Sequence, residues 1–276
     1  MNLVTTWMPL SESDSKDLVL CVDFTETGRT EAGFPDLVAR MDHDSAFWHV
    51  VPPSVAPGSG VDGGAYVRSW LEPLRGSGRT VRAVMGYCVG AVYAAELVAA
   101  LAELQDEKPE LIVFDPEPTS LENIYFQFGN VFTILSSILT EEDIAGTREV
   151  MDRLIRQEDM TVERYASELY AVFREVGHNA FERAGLDQEY GEEMWETFSR
   201  FLSFLSYADQ LDPWDGWLRA TAVSSSTPHN GLNRLRTDDP PRRGDIVAHE
   251  LSFEEDHQEL LRSEEVARAV TKLLEK

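Results

Sequence analysis

A Gly-x-Cys-x-Gly turn, from Gly86 to Gly90, separates a β-rich run from an apolar, helix-like run. A tight strand-to-helix turn of this kind presents its central residue, here Cys88, at the top of a sheet. It needs glycine on both sides because side chains there would clash with the neighbouring strand or helix. The N-terminus of the following helix favours a thiolate and a developing oxyanion. The pattern predicts a reactive cysteine rather than a structural buried thiol.

A cysteine nucleophile needs a base and an acid that orients the base. Asp115 ends a β-rich run in "LIVFDPEP", and His257 follows the last such run in "FEEDHQELL". The carboxyl ends of parallel strands meet at one edge of a sheet, where sites of open α/β sheets lie. Along the chain the cysteine comes first, then the acid, then the histidine, which is the order of an α/β catalytic triad. The sequence therefore predicts that Cys88, Asp115 and His257 are the catalytic residues.

Other residues of the same types compete for these roles. Glu117 and Asp256 are alternatives for the acid. His249 and His229 are alternatives for the base, although we expect His249 to point out of a strand and His229 to lie in an arginine-rich loop. Cys21 lies within "LVLCVDF", where a small apolar residue is expected, so we predict that it belongs to the core.

An oxyanion hole requires two donors. The first is predicted to be the backbone N–H of Val89, the residue after the nucleophile. The second is predicted in the loop after the first core strand, which begins at "DFTETG". Phe24 and Thr25 are both candidates there.

The pattern of the whole chain predicts the elements that hold these residues. From Asp17 to about Pro118, β-rich runs alternate with helix-like runs, which predicts right-handed βαβ crossovers and a mostly parallel sheet with helices on both faces. Residues 119–215 carry apolar and aromatic side chains at helical spacing, and the α/β pattern then resumes. We expect an α/β core of residues 1–118 and 216–276, interrupted by a large helical insertion at 119–215.

Composition excludes several classes of function. With 276 residues, 43% of them hydrophobic, the chain can bury a substantial core, and the formal charge of −25 disfavours nucleic acid or an anionic membrane as partner. No apolar run is long enough to span a membrane, so we expect a soluble, cytoplasmic protein. Two cysteines suit neither a disulfide scaffold nor a zinc site, and we expect no metal and no bound cofactor.

These segments resemble the thioesterases of nonribosomal peptide and polyketide assembly lines. "LVLCVDFTETG" is similar to their opening strand and oxyanion loop, "VMGYCVGAVYAAELVAAL" to their nucleophile elbow, and "LIVFDPEP" to their acid-bearing strand end. The end of the chain, "EDHQELLRSEEVARAVTKLLEK", is similar to their histidine loop and last helix. The resemblance implies an α/β-hydrolase fold in which the helical insertion is a lid. The family usually has serine where this chain has Cys88.

The resemblance also implies a substrate and a partner. It implies that Cys88 accepts an acyl or aminoacyl group from the phosphopantetheine arm of an acyl or peptidyl carrier protein and passes it to a carrier thiol, an amine or a hydroxyl. A hydrolytic thioesterase and a non-catalytic carrier-binding protein are the alternatives. Carrier proteins are usually acidic, so the predicted docking surface is the basic loop with Arg234, Arg236, Arg242 and Arg243.

Overall fold

The computed structural model describes residues 6–11, 13–25, 31–238 and 244–275. Within them, strands form one seven-stranded sheet in the order β1-β3-β2-β4-β5-β6-β7. The strands are β1 (Trp7–Pro9), β2 (Asp17–Val22), β3 (Ala46–Val50), β4 (Thr80–Tyr87), β5 (Glu110–Phe114), β6 (Thr221–Ser224) and β7 (His249–Ser252).

The prediction of a mostly parallel sheet is confirmed. Strands β2 to β7 pair in parallel, and β1 pairs antiparallel with β3 at one edge. The segment of β1, three residues long, is too short for a periodic pattern, and the sequence did not predict it. The inner strands read as continuous apolar runs because both faces of the sheet are covered.

Two layers of helices cover the sheet. Alternate residues of β2 enter different clusters: Leu20 and Val22 pack on one face, and Val19 and Cys21 on the other. Helices α2 and α3 belong to the first cluster, and α1 and α10 to the second. Their bounds are Phe34–Val38 for α1, Gly63–Leu74 for α2, Gly90–Leu101 for α3 and Glu264–Leu274 for α10.

Side-chain caps fix where two of these helices begin. The carboxylate of Asp62 accepts a hydrogen bond from the Ala65 N–H at 2.6 Å at the start of α2. The hydroxyl of Ser263 accepts one from the Val266 N–H at 3.4 Å at the start of α10. Each cap satisfies a helix donor that has no partner within the helix.

Further helices occupy the chain between β5 and β6, where the sequence predicts the helical insertion. Their aromatic side chains pack mainly on one another: the rings of Phe128, Phe173 and Phe198 are in mutual contact. No helix in the described part of the chain is both long and apolar enough to cross a membrane. The helices are α4 (Leu121–Ile134), α5 (Glu141–Ile155), α6 (Val162–Ala184), α7 (Gln188–Ala208) and α8 (Trp214–Trp217).

The arginine-rich segment before β7 is partly helical. The prediction of an irregular loop was wrong for Gly231–Thr237, which forms α9. Leu232 and Leu235, three residues apart, are both buried, and this short apolar face holds the turn against the core. The Pro, Asn and Asp residues on either side give the segment the composition of a loop, so the sequence does not indicate this short apolar face.

Gly177 of α6 and Gly146 of α5 differ in the space around them. A Cβ at Gly177 of α6 would lie 2.0 Å from the buried ring of Trp195, whereas a Cβ at Gly146 of α5 would meet open space. We expect Gly177→Ala to lower the free energy of unfolding by about 1–3 kcal/mol through overpacking. We expect Gly146→Ala to raise it by about 0.5–1 kcal/mol, because alanine loses less backbone entropy on folding. Urea unfolding of both variants measures this, and equal effects would contradict the close α6–α7 packing.

Candidate active site

Cys88 lies on a strained turn between β4 and α3. Its φ of 53° is in the left-handed region, which residues other than glycine seldom adopt. A Cβ at Gly86 would lie 2.5 Å from the Cα of Ala91, and a Cβ at Gly90 would lie 1.9 Å from the carbonyl oxygen of Val22. The close approach of strand and helix therefore requires both glycines that the sequence singled out.

Backbone hydrogen bonds tie this turn to the end of β5. The N–H of Cys88 donates to the carbonyl oxygen of Phe114 at 2.9 Å, and its own carbonyl oxygen accepts from the Glu117 N–H at 3.3 Å. The start of α3 follows at once, with Val89 as the N-cap residue. Cys88 consequently lies between the C-terminal end of the sheet and the N-terminus of a helix.

Asp115 and His257 come together at the same edge of the sheet. Asp115 follows β5 and is fully buried, with Oδ1 accepting from the Ser225 N–H at 2.9 Å and Oδ2 lying 2.8 Å from Nδ1 of His257. An ionised carboxylate only accepts, so Nδ1 donates this bond. Nε2 is left as the ring nitrogen that can take up a proton.

Tyr87 holds the histidine against the elbow. Its ring stacks on the imidazole of His257 with centroids 4.8 Å apart, and its hydroxyl donates to the His257 carbonyl oxygen at 2.7 Å. The His257 N–H donates to the hydroxyl of Thr227 at 2.8 Å. Tyr87 is the residue before Cys88, so one side chain links the segment of His257 to the turn at Cys88. A variable position of a Gly-x-Cys-x-Gly motif carries no sequence signal for this role.

Opposing effects set the proton affinity of His257. Burial lowers the pKa of the imidazole, but the hydrogen bond and charge of Asp115, with smaller contributions from the charges of Glu117 and Glu31, outweigh it. The pKa of His257 is therefore raised above its usual value of 6.5. This imidazole is a stronger base than an ordinary histidine.

The alternative acids have other partners. Glu117 is buried, and its carboxylate accepts from the side-chain amides of Asn123 and Asn230 and from the backbone N–H of Gly231. Asp256 is exposed and accepts from the N–H of Glu259. Of the three acids that the sequence proposed, Asp115 is the one that contacts the imidazole of His257.

The alternative histidines and the second cysteine lie elsewhere. His249 is exposed at the start of β7, and His229 is exposed before α9. Cys21 is fully buried in β2, as the sequence predicts for a core residue. Burial, and then the charge of Asp23, raise the pKa of the Cys21 thiol well above its usual value.

A small cavity of about 20 Å³ lies over Cys88. Val89 and Phe24, two of the predicted oxyanion donors, both line it, whereas Thr25 lines a neighbouring cavity. This volume is about that needed for one water molecule. Its covering side chains come from α4 and α7: Gln127, Phe201, Phe204 and Leu205.

The arginines predicted to receive a carrier protein contact carboxylates of this chain. Arg234 lies 3.6 Å from a carboxylate oxygen of Glu117, and Arg236 lies 2.6 Å from one of Glu250. Arg242 and Arg243 lie outside the described residues. Docking at this segment stays a prediction.

Comparison with known proteins identifies the fold. No protein-family model matches the chain, and no curated protein matches it. The thioesterase domain of NocB from the nocardicin cluster superposes with a TM-score of 0.55 at 13% identity, covering 98% of this chain and 99% of that domain. A crystal structure of holo-AB3403, a four-domain nonribosomal peptide synthetase, gives 0.57 at 11% identity, with 98% of this chain and 20% of that one covered. The chain has the α/β-hydrolase fold.

A neighbour of different activity shows the limit of that likeness. A membrane phospholipase A described as a bacterial virulence factor superposes with a TM-score of 0.53 at 11% identity, covering 98% of this chain and 81% of that one. One α/β-hydrolase framework thus carries different activities, and at such identities the likeness extends to the fold alone. The function has to be argued from the side chains at the site.

Replacing Asp115 by Asn tests the pairing with His257. The variant removes the negative charge that lies beside the imidazole of His257. The pKa of His257, followed by NMR, should therefore fall. A raised pKa in the folded state stabilises the protein fully below the unfolded pKa, and this stabilisation is lost as pH rises through the folded pKa. As pH rises through the pKa of His257, the unfolding free energy of Asp115→Asn should therefore decline less than that of the wild type. Asp256→Asn is the matched control, and an unchanged titration of His257 in Asp115→Asn would refute the assignment.

Proposed function

We propose that this α/β-hydrolase is a cysteine-dependent, thioesterase-like acyltransferase of natural-product biosynthesis. Cys88 takes an acyl or aminoacyl group from the phosphopantetheine thiol of a carrier protein and passes it to an acceptor. The observation that carries the proposal is a cysteine in left-handed conformation at the elbow, at the same sheet edge as the buried Asp115–His257 pair. The carrier-bound class of substrate is taken by analogy from the resemblance of these motifs to assembly-line thioesterases; a thioesterase domain and a nonribosomal peptide synthetase are among the structures of similar fold.

The first half-reaction loads the enzyme. His257 takes the proton of the Cys88 thiol through Nε2, and the sulfur attacks the carbonyl carbon of the carrier thioester. The oxyanion that forms is held by the N–H of Val89 and a second backbone N–H, from Phe24 or Thr25. When the tetrahedral intermediate collapses, the bond to the carrier sulfur breaks, and His257 returns the proton to the leaving thiolate.

The second half-reaction unloads it. An acceptor thiol, amine or hydroxyl gives its proton to His257 and attacks the carbonyl carbon of the Cys88 thioester. The bond to the Cys88 sulfur breaks, and the thiolate regains its proton from His257. The charge of Asp115 stabilises the imidazolium that forms in both halves.

The chemistry of sulfur favours transfer over hydrolysis. Moving an acyl group from a carrier thiol to Cys88 exchanges one thioester for another, so the acyl-enzyme keeps its transfer potential. A serine in the same place would form an oxygen ester, which lies downhill and returns the acyl group to a thiol slowly. Cysteine therefore favours a reversible shuttle between thiols, because neither direction of the exchange is strongly uphill.

The covering helices α4 and α7 have the role of a lid in this proposal. Gln127 of α4 and Phe201, Phe204 and Leu205 of α7 line the cavity over Cys88, so a shift of these helices would widen the space for an acyl group. Their apolar side chains, Phe201 and Phe204, then exclude water from the acyl-enzyme. Water exclusion prolongs the life of a thioester that awaits an acceptor.

The acyl-enzyme itself is the first test. A carrier protein loaded with an acyl group should transfer it to the wild-type protein, and intact mass spectrometry should show one added acyl group. Cys88→Ala should show none. Cys21→Ala is the matched control and should load normally, because the Cys21 thiol is fully buried. Failure of the wild type to load from any acyl carrier would contradict the proposal.

Replacing Cys88 by Ser tests the reason for sulfur. The variant should accumulate an oxygen ester, and delivery to an acceptor thiol should slow by at least about tenfold because the ester lies lower in free energy. Single-turnover assays with a second carrier as acceptor measure this rate. Delivery to the thiol at the wild-type rate would show that cysteine is not required for transfer.

A further inference from the structure

A second buried acid–histidine pair lies beside the elbow. Asp23 directly follows β2, and His49 lies in the neighbouring strand β3, in register with Cys21. The two residues are 4% and 3% exposed, and Oδ1 of Asp23 contacts Nε2 of His49. Neither residue has a part in the proton transfers described above.

Each carboxylate oxygen of Asp23 has a hydrogen-bond partner. Besides the contact with His49, Oδ2 accepts from the Phe34 N–H, at the start of α1, at 3.3 Å. A Cβ at Gly33 would come within 3.3 Å of the same oxygen. The carboxylate thus joins the end of β2 both to β3 and to the start of α1, and it fixes the direction in which the chain leaves the sheet.

That direction matters because the chain passes next to the nucleophile. A Cβ at Gly90 would lie 3.2 Å from the Cα of Asp23, and Asp23 and Phe24 line the cavity over Cys88. The ring of Phe24 also packs on Phe201, with centroids 5.3 Å apart. Phe24 therefore lines the same cavity as Cys88, with its ring packed against α7.

We infer that Asp23 and His49 are a positioning pair, which holds the backbone N–H of Phe24 in place as the second oxyanion donor for the reaction at Cys88. The inference rests on the proposed function, since it requires acylation of Cys88. His49 is not among the described residues that line the cavity, so it acts through Asp23 and not on the substrate.

Two reactions of the same sulfur separate this role from a general structural one. Attack on a thioester creates an oxyanion and needs both donors. Alkylation by iodoacetamide forms a carbon–sulfur bond and releases iodide, and no oxyanion arises. Loss of the positioning pair should slow the first reaction and spare the second.

The test uses His49→Phe, which keeps a ring of similar size and removes the N–H donor. We expect loading of Cys88 from an acyl thioester to slow by about 10- to 100-fold, while alkylation keeps its wild-type rate. His49→Gln retains an N–H donor and should recover part of the loss. His43 precedes the N-terminal end of β3, so His43→Phe is the matched control and should leave both rates unchanged.

The ratio of the two rates decides the outcome. If His49→Phe does not fold, Asp23→Asn carries the test, because a side-chain amide has one acceptor oxygen for the two donors that Asp23 satisfies. An unchanged ratio of acylation to alkylation in the folded variant overturns the inference and leaves the proposed function standing. A wild type that is alkylated but never acylated contradicts both.

Discussion

The turn at Cys88 is the constraint on which the site depends. Helix α3 begins so close to β4 and β2 that a Cβ at Gly86 would overlap the backbone of Ala91 in α3, and a Cβ at Gly90 would overlap that of Val22 in β2. Cys88 itself is held at a positive φ by hydrogen bonds to the end of β5. A residue in this conformation is costly and persists only where its surroundings determine it. The strain places a thiol at the sheet edge and at a helix N-terminus together.

Buried carboxylates organise the rest of that edge. Asp23, Asp115 and Glu117 each follow a strand, are at most 4% exposed, and accept backbone N–H hydrogen bonds. These three carboxylates are among the acidic residues that give the chain its formal charge of −25, and burying them is unfavourable unless each has partners. The partners of Asp115 and Asp23 include His257 and His49, so the same contacts that satisfy the carboxylates also fix imidazoles.

The sequence predicts the parts of the site that depend on local geometry. Glycine spacing indicates the elbow, and alternation of strand and helix indicates a parallel sheet whose carboxyl ends meet. Such patterns do not distinguish Asp115 from Glu117 as the partner of His257, because both acids follow β5 and are two residues apart. It depends on the φ of 40° at Asp115 and on the close approach of Gly231 to it.

Contacts between distant segments explain what the sequence did not reveal. The Asp23–His49 pair exists because β2 lies next to β3, and strand order cannot be read from periodicity. Tyr87 orients His257 across 170 residues of chain. Helix α9 is stabilised by two buried leucines in a segment whose composition is that of a loop.

The lifetime of the acyl-enzyme tests the central claim most directly. Wild-type protein loaded from an acyl carrier can be followed by intact mass spectrometry, first in water alone and then after addition of an acceptor thiol or amine. Transfer predicts that the Cys88 adduct persists in water and disappears at once when the acceptor arrives, with the acyl group found on the acceptor. Rapid loss of the adduct in water without an acceptor would contradict transfer and identify a hydrolytic thioesterase.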